Sequence, residues 1–351
     1  MEGATVSGDT DRTGRHRQDP PPGPQGPRRR HWLRLAVIVT AVVVAVAVAL
    51  VFTVQGIRGP AEAVLSSPPS PAQKSVDGQL PTTPASYLGL YSDGVPKSYA
   101  GVTAFTRATG VRPDVVSYYS GWFEPFQTKF AAHAAANGAA PLVQLDPAGI
   151  SVEAIASGQY DAYLSTYAEA VRAYRGPVIL SFGHEMIGYW YSWGYQNTPA
   201  ATFVAAWRHI VTLFRSKRAR NVTWLWTVNA IHKRARVPSP GPWWPGSSYV
   251  NWVGIDGYYN NSSLTFASLF GPTIAQVRSL TRDPILIAET SVAPAVGQPA
   301  KISDLFAGIR LYGLLGFIWF DSVQVFDWRL TGGAAIAAFR RGAATYHGLA
   351  P

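Results

Sequence analysis

No cysteine occurs anywhere in the 351 residues. Its absence removes disulfides, thiolate metal sites and thiol nucleophiles together. It says nothing about compartment, because a chain of this length can build a core without staples. Metal-ligand spacing is lacking too: His133, His184, His209 and His232 do not form a ligand set, and His-x-x-x-His and Glu-x-x-His pairs are absent. No metal and no cofactor is expected. Zinc-finger, RNA-recognition and P-loop signatures are missing as well, although the formal charge is +10 and the pI near 9.8. The basic excess has local explanations instead. Part of it is an arm carrying Arg12, Arg15, Arg17, Arg28, Arg29, Arg30 and Arg34, and another part is Arg215-Ser-Lys-Arg-Ala-Arg220, where cations suit the end of a predicted helix. Nucleic acid is therefore not an expected partner.

The apolar content is high, at 47% hydrophobic and 13% aromatic residues. One stretch of it is exceptional. Residues 35–54 carry no charge, which is long enough for a bilayer-spanning helix. Arg28 to Arg30, His31 and Arg34 precede this run and Arg58 alone follows closely, so the positive-inside rule keeps the N-terminus cytoplasmic and the rest of the chain outside. A signal peptide cleaved near Ala61-Glu-Ala63 is the competing reading, against which the run is too long for a signal h-region. The expected organisation is a disordered tail over 1–31, a transmembrane signal-anchor over 32–57, a Pro/Ser-rich linker over 58–84 and a folded domain over 85–351.

Within that domain, short β-type runs alternate with helical spacing. Strands are predicted over 87–91, 114–119, 141–145, 177–183, 222–227, 250–256, 284–288 and 313–320, and the helical periodicity is clearest over 160–174 and 198–214, with Thr198 as N-cap. Four prolines, Pro238, Pro240, Pro242 and Pro245, make a loop of 230–248. Eight strand–helix units over ~265 residues match an α/β fold of the TIM-barrel kind, a (β/α)8 barrel.

Two glutamates end predicted strands. Glu185 follows Val178-Ile-Leu-Ser-Phe-Gly-His, and Glu289 follows Pro284-Ile-Leu-Ile-Ala. A carboxylate at the end of a buried strand is costly to desolvate without a partner or a task. Barrel enzymes keep their chemistry at that rim, and paired carboxyls suit glycoside hydrolysis, which uses one as acid and one as nucleophile or base.

Three motifs carry a family resemblance: Gly183-His-Glu-Met-Ile-Gly-Tyr-Trp-Tyr-Ser-Trp-Gly194, Trp252-Val-Gly-Ile-Asp-Gly-Tyr258 and Ile285-Leu-Ile-Ala-Glu-Thr290. Together they resemble glycoside hydrolase family 26, mostly β-mannanases among the retaining (β/α)8 enzymes. The resemblance runs over about 86–345 and implies Glu185 as acid/base at strand 4 and Glu289 as nucleophile at strand 7. It further implies substrate or active-site contacts for His184, Trp190, Asp256, Tyr258 and Trp319, the last as the floor under the cleaved sugar. Trp224 and Trp226 lie in an apolar strand, where alternation is expected to turn one of them inward. Asn229 matches a rim position that orders a loop.

The chain departs from the family pattern at Ile187, where asparagine is usual, and at Leu145-Asp-Pro147, where Trp-Glu-Pro is common. The expected partner is a β-linked polysaccharide, mannan first. Mixed-linkage β-glucan, envelope polysaccharide of the same cell, and a non-catalytic polysaccharide sensor stay open. A tethered monomer is the expected state.

Overall fold

The computed structural model describes residues 80–231 and 237–346. The expected tail and anchor, and most of the linker, lie outside these residues. Among the described residues no helix is long and apolar enough to cross a membrane.

Eight parallel strands close into a barrel in sequence order: β1 (Tyr87–Ser92), β2 (Val115–Gly121), β3 (Ala140–Asp146), β4 (Val178–Phe182), β5 (Val222–Asn229), β6 (Trp252–Asp256), β7 (Ile285–Thr290) and β8 (Gly316–Asp321). Outside them lie α1 (Ala100–Thr109), α2 (Thr128–Ala136), α3 (Val152–Ala156), α4 (Asp161–Tyr174), α5 (Ala200–Ser216), α6 (Phe266–Leu280), α7 (Gln298–Leu311) and α8 (Gly333–Ala343). The section between β5 and β6, rich in proline, holds only a short 3-10 turn at Gly241–Trp243 among its described residues. Proline removes the amide donor that a regular helix needs. Helix α5 begins after Pro199, and Thr198 donates its hydroxyl to Ser192 O at 3.0 Å instead of capping the helix.

Strand alternation sorts the core into an inside and an outside. Tyr87, Val115, Leu142, Ile179, Leu225, Trp252, Leu286 and Ile318, one from each strand in turn, pack together in the lumen. The next inward positions on four strands are Ser117, Gln144, Ser181 and Thr227, all buried, with Ser181 and Thr227 hydroxyls 3.1 Å apart. This small, polar layer lies between the apolar lumen and the C-terminal mouth. The helices cover the outward residues: Phe203, Trp207, Ile210, Val211 and Phe214 recur on the buried face of α5, and Trp207 and Phe214 meet the indole of Trp224. Trp224 and Trp226 share one parity, so both face outward, and Leu225 between them points into the lumen. Neither tryptophan turns inward.

One irregularity aims a key side chain. Ile255 pairs with Ile287, but the next pair is Asp256 with Glu289, so β7 carries one extra residue. The β7–β8 ladder shifts over the same stretch. Ala288 packs in the lumen, and strict alternation would turn Glu289 out toward the helices. The bulge re-aims it to the mouth, as bulges beside functional sites commonly do.

Candidate active site

Glu289 is 6% exposed, and both of its carboxylate oxygens accept a tyrosine hydroxyl. Tyr119, from β2, donates to Oε1 at 2.5 Å, and Tyr258, just after β6, donates to Oε2 at 2.6 Å. The two donors hold the carboxylate from both sides. The same burial and the neighbouring Glu289 charge push the Tyr119 and Tyr258 hydroxyls well above the usual phenol range, which keeps them protonated as donors.

Glu185 sits three residues past β4, on a turn where Gly183 has φ 54° and Glu185 itself φ 55°. A non-glycine residue in the left-handed region marks a local constraint. The Gly183 site has no room for more: a Cβ there would lie 3.0 Å from Phe203 and 3.2 Å from Trp193. The turn is tied to the barrel by the Glu185 amide, which donates to Thr227 O at 3.0 Å. Trp190 Nε1 donates to Glu185 Oε2 at 2.9 Å. Burial pushes the Glu185 carboxyl up to about 7, with Glu289 adding to the rise and His184 and Trp190 opposing it.

His184 is 2% exposed and lies between Asp146 and Tyr191. Its Nδ1 is 2.9 Å from Asp146 Oδ1 and its Nε2 is 3.2 Å from Tyr191 Oη. Burial pulls the imidazole down, but Asp146 first, then Glu289 and Glu185, outweigh it and hold the value at about 9. The ring is thus an imidazolium at neutral pH, with both N–H groups donating. Tyr191 in turn stacks on Trp193 at 4.3 Å and 8° between planes.

Asp256, the last residue of β6, is also buried at this mouth. Burial, followed by the Glu289, Glu185 and Asp146 charges, pushes its carboxyl well above the carboxylate range. Four carboxyl groups and one imidazolium therefore share one electrostatic site. Among the described residues no group of three or more His, Asp or Glu is disposed to hold a metal ion.

Of the residues expected from sequence, the structure gathers Glu185, Glu289, His184, Trp190, Asp256 and Tyr258 at this mouth. Trp319 is placed elsewhere. It is fully buried on the outward face of β8, packed against Phe339 of α8 at 5.7 Å between ring centroids. Its neighbour Phe320 has the inward parity and joins Tyr91, Tyr119, Tyr258 and Trp328 in an aromatic cluster beside Glu289. Trp328 lies 4.8 Å from the Tyr258 ring. The two departures from the family pattern are also inward of any surface: Ile187 and Leu145 are 0% exposed and belong to the core.

Sequence reasoning missed Tyr119, Asp146, Tyr191 and Trp328. For Asp146 the strand-end rule that singled out Glu289 was sufficient, since it is the last residue of β3.

Comparison with known proteins agrees with this arrangement. The family model described as glycosyl hydrolase family 26 matches residues 146–304, a span that begins at Asp146 and includes Glu185, Asp256 and Glu289. Endoglucanase H of Acetivibrio thermocellus is 29% identical over 264 residues, covering 70% of this chain and 29% of its own length. Beta-1,3-xylanase TXYA of a Vibrio species is 28% identical over 166 residues, covering 44% of this chain and 35% of its own. The chain thus spans about a third of the length of these curated relatives. In fold, a mannanase from Bacillus subtilis superposes with a TM-score of 0.57 at 18% identity, over 76% of this chain and 92% of that one. Closed barrel, motifs and family match thus agree on glycosyl hydrolase family 26, the match itself lying over residues 146–304.

Proposed function

We propose that the chain is a retaining endo-β-glycosidase acting on β-1,4-mannosidic linkages of mannan-type polysaccharide, with Glu289 as nucleophile and Glu185 as acid/base. The observation that carries this reading is the contrast between the two carboxyls. Glu289 accepts two tyrosine hydroxyls, while Glu185 accepts an indole N–H and burial pushes its carboxyl up to about 7. A carboxylate held by two hydroxyl donors suits the nucleophile, and a buried carboxyl raised toward neutrality suits the acid.

In the first step a Glu289 oxygen attacks the anomeric carbon, the glycosidic C–O bond breaks, and the Glu185 proton passes to the departing oxygen. Trp190 occupies Glu185 Oε2 and leaves Oε1 to face the substrate. The resulting ester removes the Glu289 charge, which is one of the causes raising Glu185. Glu185 then holds a proton less tightly and takes one from water, whose oxygen attacks the anomeric carbon and frees Glu289. Two inversions give net retention.

A β-glucan is the second reading, favoured by the endoglucanase name of one curated relative. Incubation with mannans, mixed-linkage glucans and xylans, followed by product sizing and NMR of the first-formed anomer, separates the two. Oligosaccharide products from mannan with β configuration support the first reading. Absence of product from every β-glycan leaves a binding or sensor domain, and an inverted anomer sinks the double displacement.

The uncharged run over 35–54 supports a single-pass anchor that holds a monomeric barrel outside the cell against its polysaccharide, with 58–84 as spacer. Membrane fractionation tests it. Recovery of the barrel in the soluble fraction, with a new N-terminus near Ala63, would indicate the cleaved form.

A further inference from the structure

Asp256 differs from the other three carboxyls at the mouth in one respect. Glu289 accepts two hydroxyls, Glu185 accepts the Trp190 indole and Asp146 accepts His184. Neither oxygen of Asp256 has a hydrogen-bond partner among the described residues, although the side chain is only 2% exposed. Its place in the barrel rules out a side chain facing the helices. Trp252 packs in the lumen, and a Cβ on Gly254 would meet Thr227 and Ala288 of the inner face. Asp256 shares that parity and stands in register with Asn229 on β5 and with Glu289 on β7.

An ionised carboxylate in that position would be buried with no donor and set beside the Glu289 charge. That is the arrangement proteins avoid, because desolvation and like charge both oppose it. The groups acting on it from the neighbouring elements are Glu289 on β7, Glu185 after β4 and Asp146 on β3, all acidic. The one cation of the cluster among the described residues, His184, is already engaged with Asp146.

We propose that Asp256 works as a proton-bearing carboxyl, which donates a hydrogen bond to one hydroxyl of the sugar held against Glu289 and accepts one from the adjacent hydroxyl. The proposal rests on the assignment of Glu289 as nucleophile. A neutral acid offers one donor and one acceptor on a rigid fork, which suits a pair of vicinal hydroxyls and adds no second negative charge next to the nucleophile. Asp256 is then a substrate-reading residue whose value lies in being uncharged.

The test compares Asp256→Asn with Asp256→Ala and adds an infrared measurement. Asparagine keeps the shape, the neutral charge, a donor and an acceptor. It is expected to retain kcat/KM to within about tenfold, whereas alanine is expected to lose at least ~100-fold, since an unread sugar hydroxyl is left unpaired. If Asp256 acts as a charge, asparagine falls as far as alanine and the proposal is overturned. The infrared difference spectrum between wild type and Asp256→Asn at neutral pH should show loss of a protonated-carboxyl C=O band. Loss of a carboxylate band instead overturns the proposal without reference to activity. A protonated band in a protein that cleaves no β-glycan would sink the hydrolase reading and leave the protonation of Asp256 standing.

Discussion

The hydroxyl of Tyr119 on β2 reaches Glu289 on β7, 2.5 Å away, past two intervening strands of the closed barrel. The link joins residues 170 positions apart in the chain, so the carboxylate is oriented by barrel closure and not by its own strand alone. Tyr119→Phe should lower kcat by ~10- to 100-fold with little change in KM, the range expected on losing one hydrogen bond to a charged group. Steady-state kinetics on the substrate identified by the polysaccharide panel checks this. A variant at full kcat would show that Tyr258 alone suffices.

Removing Glu289, the proposed nucleophile, should leave a distinctive signature. Glu289→Ala should lack glycosidase activity yet regain turnover of an activated glycoside in azide, with inversion at the anomeric carbon, because the small anion takes the carboxylate's place on one face only. Full activity without azide would eliminate Glu289 as nucleophile.

On the proposed mechanism the alkaline limb of the pH profile is set by Glu185. Its carboxyl is held at about 7 by burial, and the Trp190 hydrogen bond lowers it. Activity in wild type should therefore fall as pH rises through about 7, when the acid loses its proton before it can give it to the leaving group. Trp190→Phe removes a donor that favours the charged form, so the alkaline limb should move to higher pH. A limb that stays in place or moves down would separate Trp190 from the control of Glu185.

His184 gives a stability prediction. Its folded value, about 9, lies above the ordinary 6.5. The associated stabilisation is fully present below pH 6.5 and is lost as pH rises through about 9, with a size on the order of 3 kcal/mol. Asp146→Asn removes the principal group raising it. Melting temperature against pH should therefore decline less steeply over this window in the variant, which starts from a lower plateau. Parallel curves would mean that the pair does not couple protonation to folding.

The misplaced tryptophan separates core from site. Trp319→Ala opens the interface with Phe339 and should cost about 3–5 kcal/mol of stability. The less drastic Trp319→Phe should leave KM unchanged. Trp328→Ala, by contrast, takes away the ring behind Tyr258 and should lower kcat through the orientation of that hydroxyl. Equal effects on KM from both positions would contradict the outward placement of Trp319.

The barrel was legible because each strand is a short apolar run and the units repeat in order. Seven of the eight strand regions differ from expectation by only a residue or two at each end, and β8 begins later than its apolar run. Glu185 and Glu289 were legible because charge at the end of an apolar run is conspicuous. Tyr119 was not, since an aromatic residue in a strand normally signals core. The direction of Trp319 and of the Trp224 and Trp226 pair depends on which parity faces the lumen, and closure of all eight strands fixes that. The extra residue in β7 has no composition signal at all.

That extra residue makes pairing register, more than strand chemistry, the determinant of where Glu289 points. Ile287 faces the helices while Ala288 and Glu289 both serve the inner side, and a regular ladder with Ala288 opposite Asp256 would swing the Glu289 carboxylate to the helical shell. The outcome would be a barrel that folds and is catalytically silent. A one-residue slip in pairing at β7 would thus cost the site its Glu289 carboxylate while every side chain of the strand stays the same.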